Sequence, residues 1–469
     1  MNTIKKTISI VSILALMSSL CACSSSSANV NDKDLDDATK EEIAQIVSAD
    51  EKLTGELENK TIKWLNSWDI NPDSTGKNVP IELQVFKERY GGEVESKIVA
   101  FSQRFDALAN AINGDEGIDF FGASDFDAFP KGVVKNMFVP ADDYIDYNSE
   151  LWADVKDTND KLMWNGKHYI ICQQVTGDSC VIIYNKDTIE ENNLEDPYEL
   201  YVNGQWDWNK FEEMLLSYVD EDEDMYGLDG WYFESAISKT TGVAYVGLQD
   251  GKLVNNLKDI NLERVQNYMQ DLYNKGLFLN KEDFGYSEQV NFMGEGKELF
   301  YPCGLWALYK EASQWQTTFG QNVMFVPMPK DPESDEYYLP AGLDGYLLVR
   351  GGHNPEGVIK FTECKRATLL NEKTREIANE QLYTDYGWTE EMYNMKFELD
   401  EITAKNPVFD FYTGVSTDLT NIIDSGTTGI RVSTTGQGTW AQVVEANYSA
   451  VDTLINEVNN SADGSTEEE

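Results

Sequence analysis

Short apolar runs alternate with amphipathic segments along most of the chain. Runs rich in β-branched and aromatic residues predict strands at 61–65, 95–99, 118–121, 181–184, 323–326 and 346–349. Apolar residues at helical spacing predict helices at 101–112, ended by Gly114, and at 442–458, with a shorter one at 40–47. Two more helices are predicted to start at the N-caps Asp207 and Asn261, the second ending at Gly276. This alternation indicates an α/β fold with mainly parallel sheets.

The first residues have the pattern of an export signal. Lys5 and Lys6 precede an apolar stretch at 8–20 that is too short to span a bilayer stably. Leu20-Cys21-Ala22-Cys23 then resembles a bacterial lipobox, which implies cleavage before Cys23 and lipid on that cysteine. We therefore expect a signal peptide at 1–22 and a protein anchored on the extracellular face of the cell membrane. An ordinary secretory signal is the alternative.

Charge and composition narrow the possible functions. Lys plus Arg number 37 and Asp plus Glu 82, so the net charge is −45. Such a field repels nucleic acid and other polyanions, whereas neutral ligands are indifferent to it. No CxxC pair, no G-x-S-x-G motif and only two histidines, His168 and His353, occur, so we expect no metal, no cofactor and no catalytic residues. Cys172 and Cys180 are close enough in sequence to bridge, although burial as free thiols is the preferred interpretation.

Several short segments follow one another along the chain: IKWLNSW (62–68), GIDFF (117–121), GKHY (166–169), IIYNK (182–186), WDWNKF (206–211), FMGEGK (292–297) before GLW (304–306), and GLDGY (342–346). In their order and spacing they resemble extracellular solute-binding proteins of ABC sugar importers, the maltose-binding-protein cluster. The resemblance implies a periplasmic-binding-protein-like type II fold, with two α/β lobes, a hinge and an interlobe cleft.

The same resemblance implies a division of the chain. The first lobe is expected at 60–176 and 327–370, and the second lobe at 177–326 and 371–458. A lipid-anchored acidic tether at 23–59 precedes them, and an acidic tail at 459–469 follows. The stretch 424–438 departs from the family pattern and has no assigned role.

Sugar binding needs aromatic planes for the C–H faces of the rings and polar groups for the hydroxyls. Trp68 follows the first strand, where open α/β sheets bind ligands. The other candidates are Asp125, Trp231, Tyr232, Trp306, Asp344 and Arg431. Trp206, Trp208 and Trp440 are interpreted as packing residues.

The sequence thus predicts a lipid-anchored, non-enzymatic receptor for a small-molecule carbohydrate, expected to be an oligosaccharide. Its partners would be the transmembrane subunits of an ABC permease, and it would act as a monomer. A receptor for a peptide or another non-sugar solute on the same fold is the main alternative. A secreted glycosidase is the second, because paired carboxylates are plentiful.

Overall fold

The computed structural model describes residues 37–71, 80–228, 232–278, 293–309, 314–384, 386–425 and 429–463. Its helices are α1 (Asp37–Ala49), α2 (Ile81–Tyr90), α3 (Arg104–Asn113), α4 (Lys131–Val134), α5 (Lys156–Lys161), α6 (Lys186–Glu191), α7 (Pro197–Val202), α8 (Trp208–Tyr218), α9 (Phe233–Lys239), α10 (Ile260–Asn274), α11 (Gln314–Phe319), α12 (Pro355–Leu370), α13 (Glu372–Thr384), α14 (Glu390–Lys405), α15 (Thr417–Asp424) and α16 (Trp440–Asp463).

The strands are β1 (Thr61–Asn66), β2 (Glu93–Ile98), β3 (Phe120–Gly122), β4 (Phe138–Val139), β5 (Ile170–Thr176), β6 (Val181–Asn185), β7 (Tyr226–Leu228), β8 (Val246–Gln249), β9 (Lys252–Asn255), β10 (Glu298–Cys303), β11 (Val323–Pro327), β12 (Leu339–Pro340), β13 (Gly342–Val349) and β14 (Pro407–Val408). Each predicted strand is present, with ends shifted by a few residues. Short 3₁₀ turns at Phe101–Gln103, Leu305–Leu308, Tyr412–Gly414 and Ile430–Ser433 lie near the site described below.

The first sheet brings several strand ends to one edge. Its strand order is β2-β1-β3-β13-β4, and β5 also pairs with β13. Strand β1 is parallel to β2 and β3, whereas β13 is antiparallel to β3, β4 and β5. The carboxyl ends of β1, β2, β3 and β5 therefore share an edge with the amino end of β13. We call this edge, which carries Trp68, Phe101, Asp125, Asp178 and Asp344, the cleft edge.

The second sheet has the order β11-β6-β10-β7. Strand β6 is antiparallel to β10 and β11, and β10 is parallel to β7. The prediction of mainly parallel sheets is therefore wrong. Helical crossovers keep β1, β2 and β3 parallel, but β13 enters the first sheet after the chain returns from the second, and it runs against its neighbours.

Successive strand residues point to opposite sides of a sheet, and the central strands of the first sheet have apolar clusters on both faces. Ile62, Trp64, Phe120 and Leu348 belong to one apolar cluster, together with residues of α2 and α12. The residues on the other face join a second cluster that continues into the second sheet; it includes Leu65, Phe121, Leu347, Phe300 and Phe325. The two sheets therefore share a continuous apolar core.

The chain passes from the first sheet to the second through residues 177–180 and returns between β11 and β13. Beyond α12, Ile377 and Ala378 of α13 still pack against the cluster around Trp64, and α14 lies against both β5 and β11. The lobe boundaries given above remain a proposal.

The segment 23–59, predicted as a tether, is in part a packed portion of the first lobe. Helix α1 and the residues after it bury Ile43 and Leu53 in the same cluster as Trp64. Arg89 Nε also donates a hydrogen bond to the Leu53 carbonyl (2.8 Å). The prediction was wrong for 37–59 because these apolar residues gain more by packing than by exposure. Residues 23–36, Cys23 and the signal peptide 1–22 lie outside the described residues.

One of the two predicted N-caps is confirmed, and the other is wrong by two residues. Asp207 is confirmed as the N-cap of α8, since its side chain accepts the amide of Lys210 (2.9 Å). Helix α10 is instead capped by Asp259, which accepts the amide of the predicted cap, Asn261 (2.8 Å). Both residue types suit an N-cap, so composition alone could not choose between them.

The last helix extends into the predicted tail at 459–469. Helix α16 continues past Val458 to Asp463, the last described residue. The side chain of Asn459 exchanges hydrogen bonds with the backbone of Leu253 (2.9 and 3.0 Å), which fixes this part of the helix to β9. Residues 464–469 lie outside the described residues. The boundary predicted at Val458 was therefore too early.

Side chains expected to be buried are buried. Cys172, Cys180, Cys303 and Cys364 are free thiols inside the protein, so Cys172 and Cys180 form no bridge. Trp206, Trp208 and Trp440 also belong to the core. None of these residues is therefore available to a ligand.

A close backbone contact joins the turn Tyr412–Gly414 to the loop after β3. A Cβ at Gly414 would lie 1.8 Å from the Phe129 carbonyl oxygen. We expect Gly414→Ala to force these segments apart and to lower the free energy of unfolding by about 2–3 kcal/mol, measured by urea denaturation. Gly122→Ala is the control, because its Cβ would meet nothing within 4 Å, and its effect should stay within about 0.5 kcal/mol. Equal effects of both substitutions would contradict this packing.

Candidate functional site

The cleft edge brings three predicted site residues into one row. Trp68 follows β1, Asp125 follows β3, and Asp344 lies near the start of β13. The backbone amide of Ala123 donates to the Gly345 carbonyl (2.9 Å), which holds the segment before Asp125 beside Asp344. The row follows from the strand order, since these residues are far apart in sequence.

Trp68 is a solvent-facing aromatic residue. Its side chain is 56% exposed. Its ring meets the buried Trp64 at 89°, with centroids 4.7 Å apart, and Trp64 stacks on Phe120 at 5.7 Å. The core thus supports Trp68 from one side and leaves more than half of it to solvent, as a ligand platform requires.

Arg104, at the start of α3, is a residue that the sequence analysis missed. Its guanidinium donates to Asn66 Oδ1 (3.2 Å), Asp125 Oδ2 (3.3 Å) and Asp127 Oδ2 (2.8 Å). It also lies 4.0 Å from the ring centroid of Phe101, which is itself exposed. Burial raises the pKa of Asp125, and Arg104 opposes this rise. Arg104 therefore ties the end of β1 to the loop after β3.

Asp344 is held by a cation from α12. Its Oδ2 lies 2.6 Å from Lys365 Nζ, which also contacts Glu82 Oε1 at 3.0 Å. The pairing of β5 with β13 shifts register between Asp344 and Gly345, an irregularity of the kind that redirects a side chain. Burial raises the pKa of Asp344, while Lys365 acts to lower it.

The crossing from β5 to β6 is clamped to α14. Lys396 Nζ lies 2.9 Å from Asp178 Oδ1 and 2.6 Å from Asp400 Oδ2. Asp400 Oδ1 accepts the amide of Gly177 (3.1 Å), and Tyr309 donates its hydroxyl to Asp178 Oδ2 (3.1 Å). Burial alone would lower the pKa of Lys396, but the two carboxylates outweigh it and raise that pKa to about 12.

Trp306 lies on the second-sheet side of this crossing and is 51% exposed. The amide of its neighbour Leu305 donates to the Asp178 carbonyl (2.9 Å). A Cβ at Gly304 would lie 2.2 Å from the indole Nε1 of Trp306, so only glycine leaves room for the ring in this position. Trp306 is therefore anchored beside the carboxylates of the cleft edge.

The remaining predicted residues are Trp231, Tyr232 and Arg431. Tyr232 is exposed just before α9, and Trp231 lies outside the described residues. Arg431 Nε lies 2.7 Å from Glu234 Oε2, and its Nη1 donates to the Asp424 carbonyl (3.2 Å). The guanidinium is thus engaged within its own lobe.

The turn Tyr412–Gly414 connects this group to the cleft edge. Thr413 Oγ1 donates to the Asp125 carbonyl (3.4 Å), and the Tyr412 hydroxyl donates to Asp424 Oδ1 (3.1 Å). Within the stretch 424–438, Ser433 Oγ donates to Gln266 Oε1 (3.0 Å). The described part of that stretch therefore packs against α10, which carries Gln266.

Three further residues of the site, an aromatic, a cation and a carboxylate, have weak signals in the sequence. Phe101 and Arg104 have helical spacing directly after the predicted strand 95–99, and Asp178 stands between Gly177 and Ser179 where two apolar runs meet. Each signal is a single residue at a strand end. Such positions become informative only when the strand order is known.

Two surface pockets lie away from the cleft edge. One surface pocket lies beside α1 and Lys373, and another lies between Leu257 and α16. Over the ranges that the structure describes, no group of three or more His, Cys, Asp or Glu side chains has an arrangement suited to a metal ion. None of the helices in those ranges has both the length and the apolar character to cross a bilayer.

The comparisons with known proteins agree with this architecture. Residues 83–376 match the family described as bacterial extracellular solute-binding protein. Because this match covers more than half of the chain, the protein belongs to that family. No functionally curated protein matches the sequence.

Solved structures share the fold. A cyclo/maltodextrin-binding protein in complex with maltotetraose has a TM-score of 0.58 and 16% identity, over 86% of this chain and 98% of that one. An ABC substrate-binding protein from Listeria monocytogenes in complex with cycloalternan has a TM-score of 0.59 and 14% identity, over 86% and 98%. A binding protein from B. animalis subsp. lactis in complex with β-1,6-galactobiose has a TM-score of 0.57 and 13% identity, over 85% and 98%. The chain therefore has the type II periplasmic-binding-protein-like fold, with two α/β lobes.

The clamp at the crossing gives a pH-dependent prediction. Lys396→Met leaves Asp178 and Asp400 together without a cation, which should cost about 3 kcal/mol of unfolding free energy at pH 7. Burial already raises the pKa of Asp400, and Lys396 acts to lower it. A carboxyl with a raised folded pKa regains stability when it binds a proton, so the loss should shrink as the pH falls. Urea denaturation at stepwise lower pH measures this.

Lys405→Met is the matched control on the same helix. Lys405 pairs with Glu336 at 2.6 Å, but the two side chains are 68% and 46% exposed. We expect Lys405→Met to lower the free energy of unfolding much less than Lys396→Met does, with no recovery at low pH, because an exposed ion pair is screened by solvent. A similar cost for both variants would show that the clamp has no special role.

Proposed function

We propose that the protein is the substrate-binding component of an ABC importer. It captures a carbohydrate, an oligosaccharide, between its lobes outside the cell and delivers it to the transmembrane permease. The observation that supports this most directly is the pair of exposed tryptophans, Trp68 and Trp306, placed around a row of carboxylates. The protein acts as a monomer in this proposal.

The chemistry of the row suits a sugar. Aromatic rings cover the C–H faces of pyranose rings, and carboxylate oxygens accept hydrogen bonds from hydroxyl groups. Trp68 belongs to the first sheet and Trp306 to the second, so a ligand that touches both favours the closed arrangement of the lobes. Structural relatives bound to maltotetraose, cycloalternan and galactobiose support an oligosaccharide.

A binding role fits the carboxylates better than glycoside hydrolysis does. A glycosidase needs one protonated carboxyl group to act as the general acid. Asp125, Asp178 and Asp344 each contact a lysine or arginine side chain. Burial raises the pKa of Asp125 and of Asp344, and the neighbouring cation in each case acts to lower that pKa. The proposal therefore has the ligand leave the protein unchanged.

Trp306 provides the test of this proposal. A thermal-shift screen of neutral mono- and oligosaccharides identifies a ligand through the rise of Tm with concentration. With that sugar, Trp306→Ala should lose about 2 kcal/mol or more of binding free energy in calorimetry, as loss of an aromatic anchor does at other sites. The Tm of the ligand-free variant should change little, since about half of the side chain is exposed.

Tyr383→Ala is the control for this measurement. Tyr383 is an exposed aromatic residue on α13, packed against Tyr393 with ring centroids 4.9 Å apart. Its removal should leave the sugar affinity unchanged. Unaltered affinity of Trp306→Ala would remove Trp306 from the site, and a cleaved sugar found by mass spectrometry after long incubation would favour the glycosidase.

The anchor is a separate part of the proposal. The sequence before Cys23, Leu20-Cys21-Ala22, resembles a lipobox. We expect Cys23→Ser to move the protein from the membrane fraction to the soluble fraction. Mass spectrometry of the wild type should find acyl chains on Cys23. A Cys23→Ser variant that stays with the membranes would exclude this anchor.

A further inference from the structure

Each buried cation of the cleft edge lies between two carboxylates. We call these three groups the acidic trios: Arg104 with Asp125 and Asp127, Lys365 with Glu82 and Asp344, and Lys396 with Asp178 and Asp400. Every trio has one positive and two negative groups. Each therefore has an excess of one negative charge when its carboxylates are ionised.

The carboxylates lie on the solvent side of each trio. The cations Arg104, Lys365 and Lys396 are only 3%, 13% and 12% exposed. The most exposed carboxylates of the three trios, Asp125, Asp344 and Asp178, are 47%, 32% and 30% exposed. A ligand that enters therefore meets acceptor oxygens first, with the N–H donors behind them.

The trios are neighbours along the same edge. The Ala123 amide binds the Gly345 carbonyl (2.9 Å), which joins the first trio to the second. Ser179 Oγ would lie 2.9 Å from a Cβ at Gly342, which places the residue after Asp178 against the start of β13. The field of Asp178 also reaches Asp344, where it acts to raise the pKa. A bound ligand thus experiences the summed charge of the row.

From this arrangement we infer that the cleft selects uncharged sugars and rejects acidic ones, such as uronic, phosphorylated or sulfated sugars. The inference rests on the proposed function and specifies its substrate class. A neutral hydroxyl group donates to the exposed carboxylates. An anionic group is repelled by them, and the three cations behind already have carboxylate partners.

The charges outside the three trios contribute less to the discrimination against acidic sugars. The net charge of −45 is spread over the whole chain. At physiological ionic strength, charges more than about 8 Å from a ligand are largely screened at an exposed surface. The local trios, in contact with the ligand, should therefore determine selectivity.

A pair of probes with the same shape separates charge from fit. The neutral sugar with the largest thermal shift is converted at carbon 6 to a carboxylate and, separately, to its primary carboxamide. We expect the carboxamide to bind about tenfold more tightly than the carboxylate in calorimetry at low salt, and the ratio to shrink as salt is added.

One substitution tests the origin of this ratio. Asp344→Asn removes one negative charge from the second trio. It should reduce the ratio of carboxamide affinity to carboxylate affinity severalfold, whatever it does to the affinity for the neutral sugar. Asp250→Asn, in the exposed turn between β8 and β9, removes the same charge elsewhere. Asp250 has a φ of 51°, which asparagine tolerates. The Asp250→Asn variant should therefore show the same ratio of carboxamide affinity to carboxylate affinity as the wild type.

Each outcome has a defined meaning. The inference would be overturned if the wild type bound the carboxylate and the carboxamide equally well, or if both probes lost the same affinity relative to the unmodified sugar. Either result would leave the proposed sugar receptor in place. The same change of ratio in Asp344→Asn and Asp250→Asn would also overturn it, since net charge would then be responsible. If no neutral sugar binds at all, the proposed function fails and the inference falls with it.

Discussion

The short crossing between the two sheets is the constraint on which the site depends. Residues 177–180 must lead from β5 to β6 while passing directly beside α14. A Cβ at Gly177 would lie 2.8 Å from Leu399 Cβ and 2.9 Å from Thr403 Oγ1, so the backbone approaches the helix as closely as glycine permits. The next residue, Asp178, then bonds to Lys396 through its side chain and to Leu305 through its carbonyl. One position thus connects the crossing, α14 and the turn that carries Trp306.

The acidic trios show why a row of clustered carboxylates needs buried cations. Two carboxylates close together repel each other, and burial increases that cost. A lysine or arginine between them makes the arrangement tolerable and still leaves acceptor oxygens on the exposed side. Each trio thereby presents acceptor oxygens while its buried cation stays paired. Under the proposed function, this arrangement favours ligand groups that donate hydrogen bonds.

Aromatic residues have two separate roles in this protein. The chain has 11 Trp, 24 Tyr and 20 Phe, and many of them fill the two apolar clusters. Trp64 is an example, since it is buried between Phe120 and Tyr346. Trp68, only four positions later, stands on Trp64 and faces solvent. The core residue is therefore what gives the exposed one its fixed orientation.

Sequence patterns by themselves indicated the α/β class, the strands β1, β2, β3, β6, β11 and β13, and the helices α1, α3, α8, α10 and α16. They also singled out Trp68, Asp125 and Asp344, which the structure places at the cleft edge. Apolar periodicity and N-cap chemistry are local properties, so they can be read without a structure. The antiparallel entry of β13, the packing of α1 onto the first lobe and the roles of Arg104 and Asp178 were decided only by the tertiary structure. The reason is that a charge such as Arg104 or Lys365 acquires its role from carboxylates on other elements, and only the packing of helices and strands brings those elements together.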